Sequence, residues 1–269
     1  MTQAFIKVDD VSHVFPPPDG GGEVVALENI NVDIRRGEMV SLIGPSGCGK
    51  STLLNVIGGM ITPTSGRALI SDAPVRGPKP KEVAYIFQES ALLPWATILD
   101  NIKVSLEFQK APRASRDQIA RDALKAVGLD AFAASYPHQL SGGMKQRAAL
   151  ARALSLRTDV LLMDEPFAAL DEQTRMIFSE DLSRLLANER KTILLVTHSL
   201  AEAVFLSDRI FVFTSRPGRI KAVLEVDEPH PRKPGFMTSA RFNELRNQLY
   251  ELLRDEVLAA IGKDRQGLA

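Results

Sequence analysis

Gly44, Gly49, Lys50 and Ser51 stand at the spacing G-x-x-x-x-G-K-[ST] within Gly44-Pro45-Ser46-Gly47-Cys48-Gly49-Lys50-Ser51-Thr52. Residues of those types in that order can hold a chain of phosphates. Glycines let the backbone curl around phosphate oxygens with no Cβ in the way, so that several N–H groups and the positive end of a helix dipole converge on one anion. Lys50 adds a full charge at the β and γ phosphates, and the Ser51 hydroxyl is placed to ligate Mg²⁺. The bland alternative is a Gly-rich turn. Against it stands the context: the apolar run Met39 to Ile43 reads as a buried strand just before the loop, and Thr52 to Ile57 as a helix start just after it.

Two further constellations carry chemistry. Val160-Leu161-Leu162-Met163-Asp164-Glu165 is an apolar run that ends in two carboxylates, which cost several kcal/mol to bury unless paired. A Mg²⁺ near Ser51 would satisfy Asp164, and Glu165 is then placed to polarise an attacking water as general base; the other possibility is a surface strand end with two solvated acids. Leu140-Ser141-Gly142-Gly143-Met144-Lys145-Gln146-Arg147 precedes a helix-forming run, Ala148 to Leu154. Ser141 can cap that helix, and the glycines Gly142 and Gly143 allow close backbone approach to an anion. A chain with two phosphate-facing helix starts and one nucleotide must use one of them on another copy's ligand, which points to a dimer.

The elements that must position these groups follow from periodicity. Phe5 to Val8 and Leu27 to Ile34 alternate and predict an antiparallel β layer, with the turn-forming loop Pro16 to Gly22 between them. Phe15, at the entrance of that loop, is on position alone a strand-end core residue rather than a plate for an adenine ring. Val83 to Phe87 reads as a buried strand ending at Gln88, and Thr192 to Val196 as another ending at Thr197-His198. Open α/β sheets present ligand groups at such strand ends, so Gln88 and His198 are candidates to face the nucleotide. From Leu92 to Leu156 the apolar spacing becomes helical, a helical insertion in the α/β core. Arg209 to Phe213 is a last strand before the turn Ser215 to Arg219; Asp227 to Pro234 reads as a linker, and Phe242, Leu245, Leu249, Leu252 and Leu253 as one face of an amphipathic C-terminal helix.

The 269 residues suffice for a full α/β core of one or two domains. The 33 basic and 33 acidic side chains cancel, which argues against a surface built around nucleic-acid phosphates. The single cysteine, Cys48, excludes an intramolecular disulfide and suits a reducing compartment. Met1 to Lys7 lacks a charged-then-apolar signal pattern, and no 18 consecutive residues are apolar. The expectation is a soluble protein that meets a membrane only through a partner.

Taken together these elements resemble the ATP-binding subunit of an ABC transporter, over nearly the whole chain. The specific piece is Leu140 to Gly143 upstream of the Asp164-Glu165 strand, with Gln88 before and His198 after. The resemblance implies an α/β fold: a P-loop NTPase core with a mainly parallel sheet (1–90 and 157–225), an antiparallel β layer on the N-terminal side, an inserted α-helical subdomain (91–156), and a linker with C-terminal helix (226–269). It makes Gln88 the loop glutamine that senses Mg²⁺ and the membrane partner. Ala169-Leu170-Asp171 becomes the loop joining two ATP sites across a dimer, His198 the switch histidine at the γ-phosphate, and Phe15 the adenine-stacking aromatic. ATP and Mg²⁺ are the implied ligands, with Lys50, Gln88, Glu165 and His198 catalytic and Ser51, Gln88 and Asp164 at the metal. Residues 44–52 would hold the nucleotide of their own copy, and Ser141, Gly142 and Gly143 that of the partner in a head-to-tail dimer. Met144 departs from the family's usual Gln. Phe87 to Trp95, Asp164 to Arg175 and Ser215 to Ile220 narrow the likeness to bacterial importers of nitrate, sulfonates and taurine. That branch implies transmembrane permease subunits, a solute-binding protein and a place at the cytoplasmic face of the cell membrane. A soluble non-transport ABC ATPase on a nucleic-acid or ribosome partner is the alternative, disfavoured by one cassette without sustained heptads.

Overall fold

A computed structural model describes residues 4–16, 22–168, 170–187 and 191–266. The chain runs β1 (Ala4–Phe15), β2 (Val24–Arg35), β3 (Met39–Ile43), α1 (Lys50–Ile57), β4 (Ser65–Ile70), β5 (Ala73–Pro74) and β6 (Val83–Ile86). The helices α2 (Ile98–Phe108), α3 (Arg113–Ala126) and α4 (Gly142–Leu154) follow, then β7 (Val160–Asp164) and α5 (Glu172–Ala187). It closes with β8 (Thr192–Val196), α6 (Leu200–Leu206), β9 (Arg209–Phe213), β10 (Ile220–Glu225) and α7 (Ala240–Gln266). Two compact units result, residues 1–79 with 179–269 and residues 80–178.

In the first unit, β2, β1, β4 and β5 form an antiparallel layer in that order. Strand β2 has the alternation expected of it: Ile30, Val32 and Ile34 are buried and their neighbours are not. The parallel core is different. Strands β3 and β8 are buried at every residue, as strands covered on both faces must be, and β3 pairs in parallel with β8 on one side and β9 on the other. Antiparallel β10 adds to β9. Helix α7 buries Phe242, Leu245, Leu249 and Leu253, most of the apolar face predicted for it. The irregular segment before it is held down by Arg232, which is buried and donates to the carbonyls of Val204 (2.7 Å), Ser207 (2.7 Å) and Glu228 (3.2 Å).

In the second unit β6 and β7 pair in parallel and α2, α3 and α4 make up the helical insertion. Strand β6 is less buried than its sequence suggests. It alternates between buried and half-buried residues, and Phe87, expected inside the strand, lies past its end, 38% exposed and stacked on Tyr85 at 4.2 Å. Among the described residues no helix is long and apolar enough to cross a membrane.

Candidate nucleotide site

The first unit builds the glycine loop. Strand β3 delivers the chain to Gly44, and the loop turns through Gly47 at φ 70° and Gly49 at φ 102° before α1 starts. These are left-handed conformations that side chains disfavour. At Gly49 space forbids one as well, since a Cβ would lie 2.6 Å from the Ala26 carbonyl oxygen and 2.7 Å from Leu27 Cδ2. Gly49 caps α1 with no side-chain acceptor, and no acid stands in the first turn. The helix start therefore offers N–H groups and positive dipole with no acid of its own first turn to meet them.

Lys50 sharpens that offer. It is 6% exposed, and its ammonium donates to the carbonyls of Gly44 and Pro45, each at 2.8 Å. Among the described residues no carboxylate pairs with it. A buried cation among neutral acceptors is stabilised by an incoming anion, and a phosphate is the anion this loop fits. Cys48 is a packing residue: burial pushes its thiol up, and the nearby Lys50 charge lowers it by less. Its sulfur would lie 2.9 Å from a Cβ on Gly44.

The loop is propped from outside by a turn that the sequence marked only as a turn. Arg216 Nε donates to the Gly47 carbonyl at 3.1 Å. Gly218 packs so closely that a Cβ there would be 2.0 Å from the Cys48 carbonyl oxygen, while its N–H donates to Ala26 at 3.0 Å. Nothing in the spacing of Ser215 to Arg219 signals this support, which exists only because β9 runs beside β3.

At the end of β8 the Thr197 hydroxyl bonds the Glu202 carboxylate at 2.5 Å and accepts from Ser199 N–H at 3.0 Å. Ser199 in turn caps α6. That lock turns His198 outward, into a cavity of about 640 Å³ shared with Gly44 and Ser46. Tyr250, Arg254 and Val257 of α7 form another wall of this cavity. An amphipathic stripe in the sequence says that a helix packs; it does not say that its far half stands beside the glycine loop. Phe15 lies at the end of β1, 38% exposed, its ring edge-on to His13 at 4.5 Å.

The second unit carries the other candidates. Asp164 ends β7, and Glu165 follows at φ 46°, a conformation that costs a non-glycine residue on the order of 1 kcal/mol and is found where a side chain must be aimed. Gln88 Nε2 lies 3.5 Å from Glu165 Oε2, and Gln146 of α4 holds Gln88 by donating to its carbonyl at 2.7 Å. Ser141 caps α4, accepting from Met144 N–H at 3.3 Å. Gly143 packs on Leu170 in its own unit: a Cβ there would fall 2.5 Å from Leu170 Cδ2, and the leucine would have to shift. In the joining loop expected over Ala169 to Asp171, Ala169 lies outside the described residues; Asp171 accepts from Thr174 N–H at 3.0 Å at the start of α5. The structure thus groups residues 44–52 with His198, and Gln88 with Glu165 and Gln146.

A parallel sheet whose central strand feeds a glycine loop and a helix that presents a buried lysine is a P-loop nucleotide-binding fold. A family model described as ABC transporter matches residues 27–168. An uncharacterized ABC transporter ATP-binding protein of Methanocaldococcus jannaschii is 44% identical over 95% of this chain and 94% of its own length. The nitrate import ATP-binding protein NrtC of Synechococcus elongatus is 43% identical over 94% of this chain, and the bicarbonate transport ATP-binding protein CmpC of Synechocystis sp. 42% over 97%. This chain spans 38% of each of those two longer proteins. Among solved structures, the ATP-binding cassette MJ0796, a dimer in a post-hydrolysis state bound to ADP and Pi, superposes with a TM-score of 0.74 at 32% identity, covering 83% of this chain and all of that one. The chain belongs to the ABC transporter ATP-binding family and is an ATPase of that family.

Proposed function

We propose that this ATPase powers an importer for a small anion of the nitrate, sulfonate or taurine type, working as a head-to-tail pair of copies at the cytoplasmic face of a bacterial cell membrane. In this reading residues 1–90 and 157–225 form the ATP-binding core, 91–156 the signature-bearing subdomain and 226–269 a C-terminal extension. What supports the anion is the pair of relatives named for nitrate and bicarbonate, both small oxyanions. Permease subunits and a solute-binding protein would be the partners, and the solute itself would not touch this chain.

For the chemistry, the carrying observation is the buried Lys50 ammonium bonded to loop carbonyls, with no carboxylate paired to it among the described residues. ATP would lie with its phosphates on residues 44–52, its adenine against Phe15, and Ser141, Gly142 and Gly143 of the partner copy over the γ-phosphate. The Ser51 hydroxyl, Gln88 amide and Asp164 carboxylate are oxygen donors, the hard set that suits Mg²⁺, which would neutralise phosphate charge there. Glu165 would take a proton from the attacking water, Gln88 would hold that carboxylate in place, and His198 would orient the γ-phosphate. Phosphoryl transfer to water asks mainly for such positioning and charge stabilisation. ATP closes the pair and hydrolysis lets it reopen, and that difference in affinity moves the permease.

Glu165→Gln tests the assignment. The expected result is a fall in turnover of about 10² to 10³-fold, with ATP affinity retained by calorimetry and a stable dimer in ATP by light scattering. Turnover near wild type would remove the general-base role.

A further inference from the structure

The outer half of α7 carries a bare apolar stripe. Tyr250, Val257, Leu258 and Ile261 recur at helical spacing and are all exposed, Leu258 at 56%. An α-helix turns once in about 3.6 residues, so positions 250, 257, 258 and 261 lie along one side of the helix. They also line the cavity whose other wall is Gly44, Ser46 and His198. The stripe therefore borders the place where, on the proposed reading, a second copy brings its Ser141 to Gly143.

A second bare apolar pair exists on the same chain. Met176 and Ile177 on α5 are exposed, Ile177 at 59%. They are tied to the signature helix within the second unit. Leu170, just ahead of α5, is the side chain against which Gly143 packs. Arg147 of α4 lies over the Phe178 ring at 5.0 Å, and Phe178 meets Phe167 edge-on at 5.2 Å. Whatever carries Gly143 to a partner's phosphate loop carries the start of α5 with it.

We propose that Met176 and Ile177 of one copy dock on the Tyr250, Val257, Leu258 and Ile261 stripe of the other, so that α7 is a second, apolar part of the ATP-closed dimer interface. The proposal rests on the head-to-tail pair proposed above and commits to a second copy of this chain as the occupant. Two self-supplied apolar patches, one beside the phosphate loop and one beside the helix that must reach it, each cover the other. Burial of such side chains gives association its driving force.

The test is cross-linking in trans. Two Glu165→Gln proteins of different tag are mixed, one bearing Ile177→Cys and the other Leu258→Cys; the native Cys48 is buried and does not compete. A disulfide joining the two tags, formed with ATP and Mg²⁺ and at least about tenfold more than without nucleotide, is the expected result. Light scattering on the same mixture reports the dimer. A dimer in ATP with no joined product overturns the α7 contact and leaves the head-to-tail pair standing. No dimer in ATP overturns both. As a second measurement, Leu258→Asp should weaken ATP-driven dimerisation at least about tenfold with nucleotide affinity of the single chain unchanged; dimerisation within about twofold of the parent would also overturn the contact.

Discussion

At the scale of single residues, the glycine loop is decided by what cannot be there. Gly49 sits at φ 102° with the Ala26 carbonyl and Leu27 pressed against the space a side chain would need. Gly49→Ala therefore has no rotamer to relieve it and must either lift the loop off β2 or break the start of α1. The expected outcome is a loss of stability of about 2 kcal/mol or more, read as a lower unfolding midpoint. ATP affinity should drop at least tenfold, about 1.4 kcal/mol, because the N–H groups no longer converge. An unchanged midpoint and affinity would mean that the loop is not held by this contact. The turn that holds Lys50 was legible from the sequence, since the spacing of its glycines and lysine between an apolar strand and a helix start permits one local structure. Arg216 and Gly218 were not, because what they do depends on which strand lies next to β3, and no local pattern encodes that.

Elements were legible where period and burial agree. The two all-apolar runs that became β3 and β8, the alternation of β2 and the helical spacing between 92 and 156 each permit one structure. The segment before α7 is the opposite case. Its prolines and charges read as a linker, yet Arg232 is buried and its guanidinium bonds four carbonyls, those of Val204, Ser207, Val226 and Glu228; burial pushes its pKa down to about 10, so it stays charged at neutral pH. Arg232→Met keeps the aliphatic volume and strands those carbonyls, at a cost of about 2 to 4 kcal/mol. Thermal unfolding should shift down accordingly, and α7 amides should exchange faster than those of α1. Next to it, Asp208 accepts from Met39 N–H at 2.8 Å and lies 3.4 Å from His230 Nε2. Burial pushes its carboxyl up, but the His230 hydrogen bond, Met39 and the Arg232 charge together hold it below the usual 3.8. A carboxyl lowered in the folded state stabilises above its unfolded pKa, and that contribution disappears as pH falls through the lower folded value. Wild type should accordingly lose more stability than Asp208→Asn as pH falls from the unfolded carboxyl's 3.8 through the lower folded value; parallel stability curves for the two proteins over that acid range would show that Asp208 contributes no such dependence.

At the scale of the whole molecule, the defining claim is that one catalytic site needs two chains. Lys50→Ala breaks the site through the loop that binds the phosphates, and Ser141→Arg breaks it through the helix start that the proposal assigns to the partner's nucleotide. Each variant as a homodimer has two damaged sites and should be inactive. In a mixed dimer the lesions do not distribute evenly. One site pairs the mutant lysine position with the mutant serine position and is broken twice, and the other pairs the two intact halves. Random association at equal concentrations makes half the dimers mixed, and each mixed dimer keeps one site of two, so the mixture should recover about a quarter of wild-type turnover per chain. Recovery should follow dimer formation as concentration rises. If Lys50 and Ser141 instead served one nucleotide within one chain, every site in every dimer would retain its lesion, and mixing would restore nothing while light scattering still showed mixed dimers. Steady-state ATPase on the two variants, alone and mixed, therefore separates a shared site from a self-contained one without a structure of either.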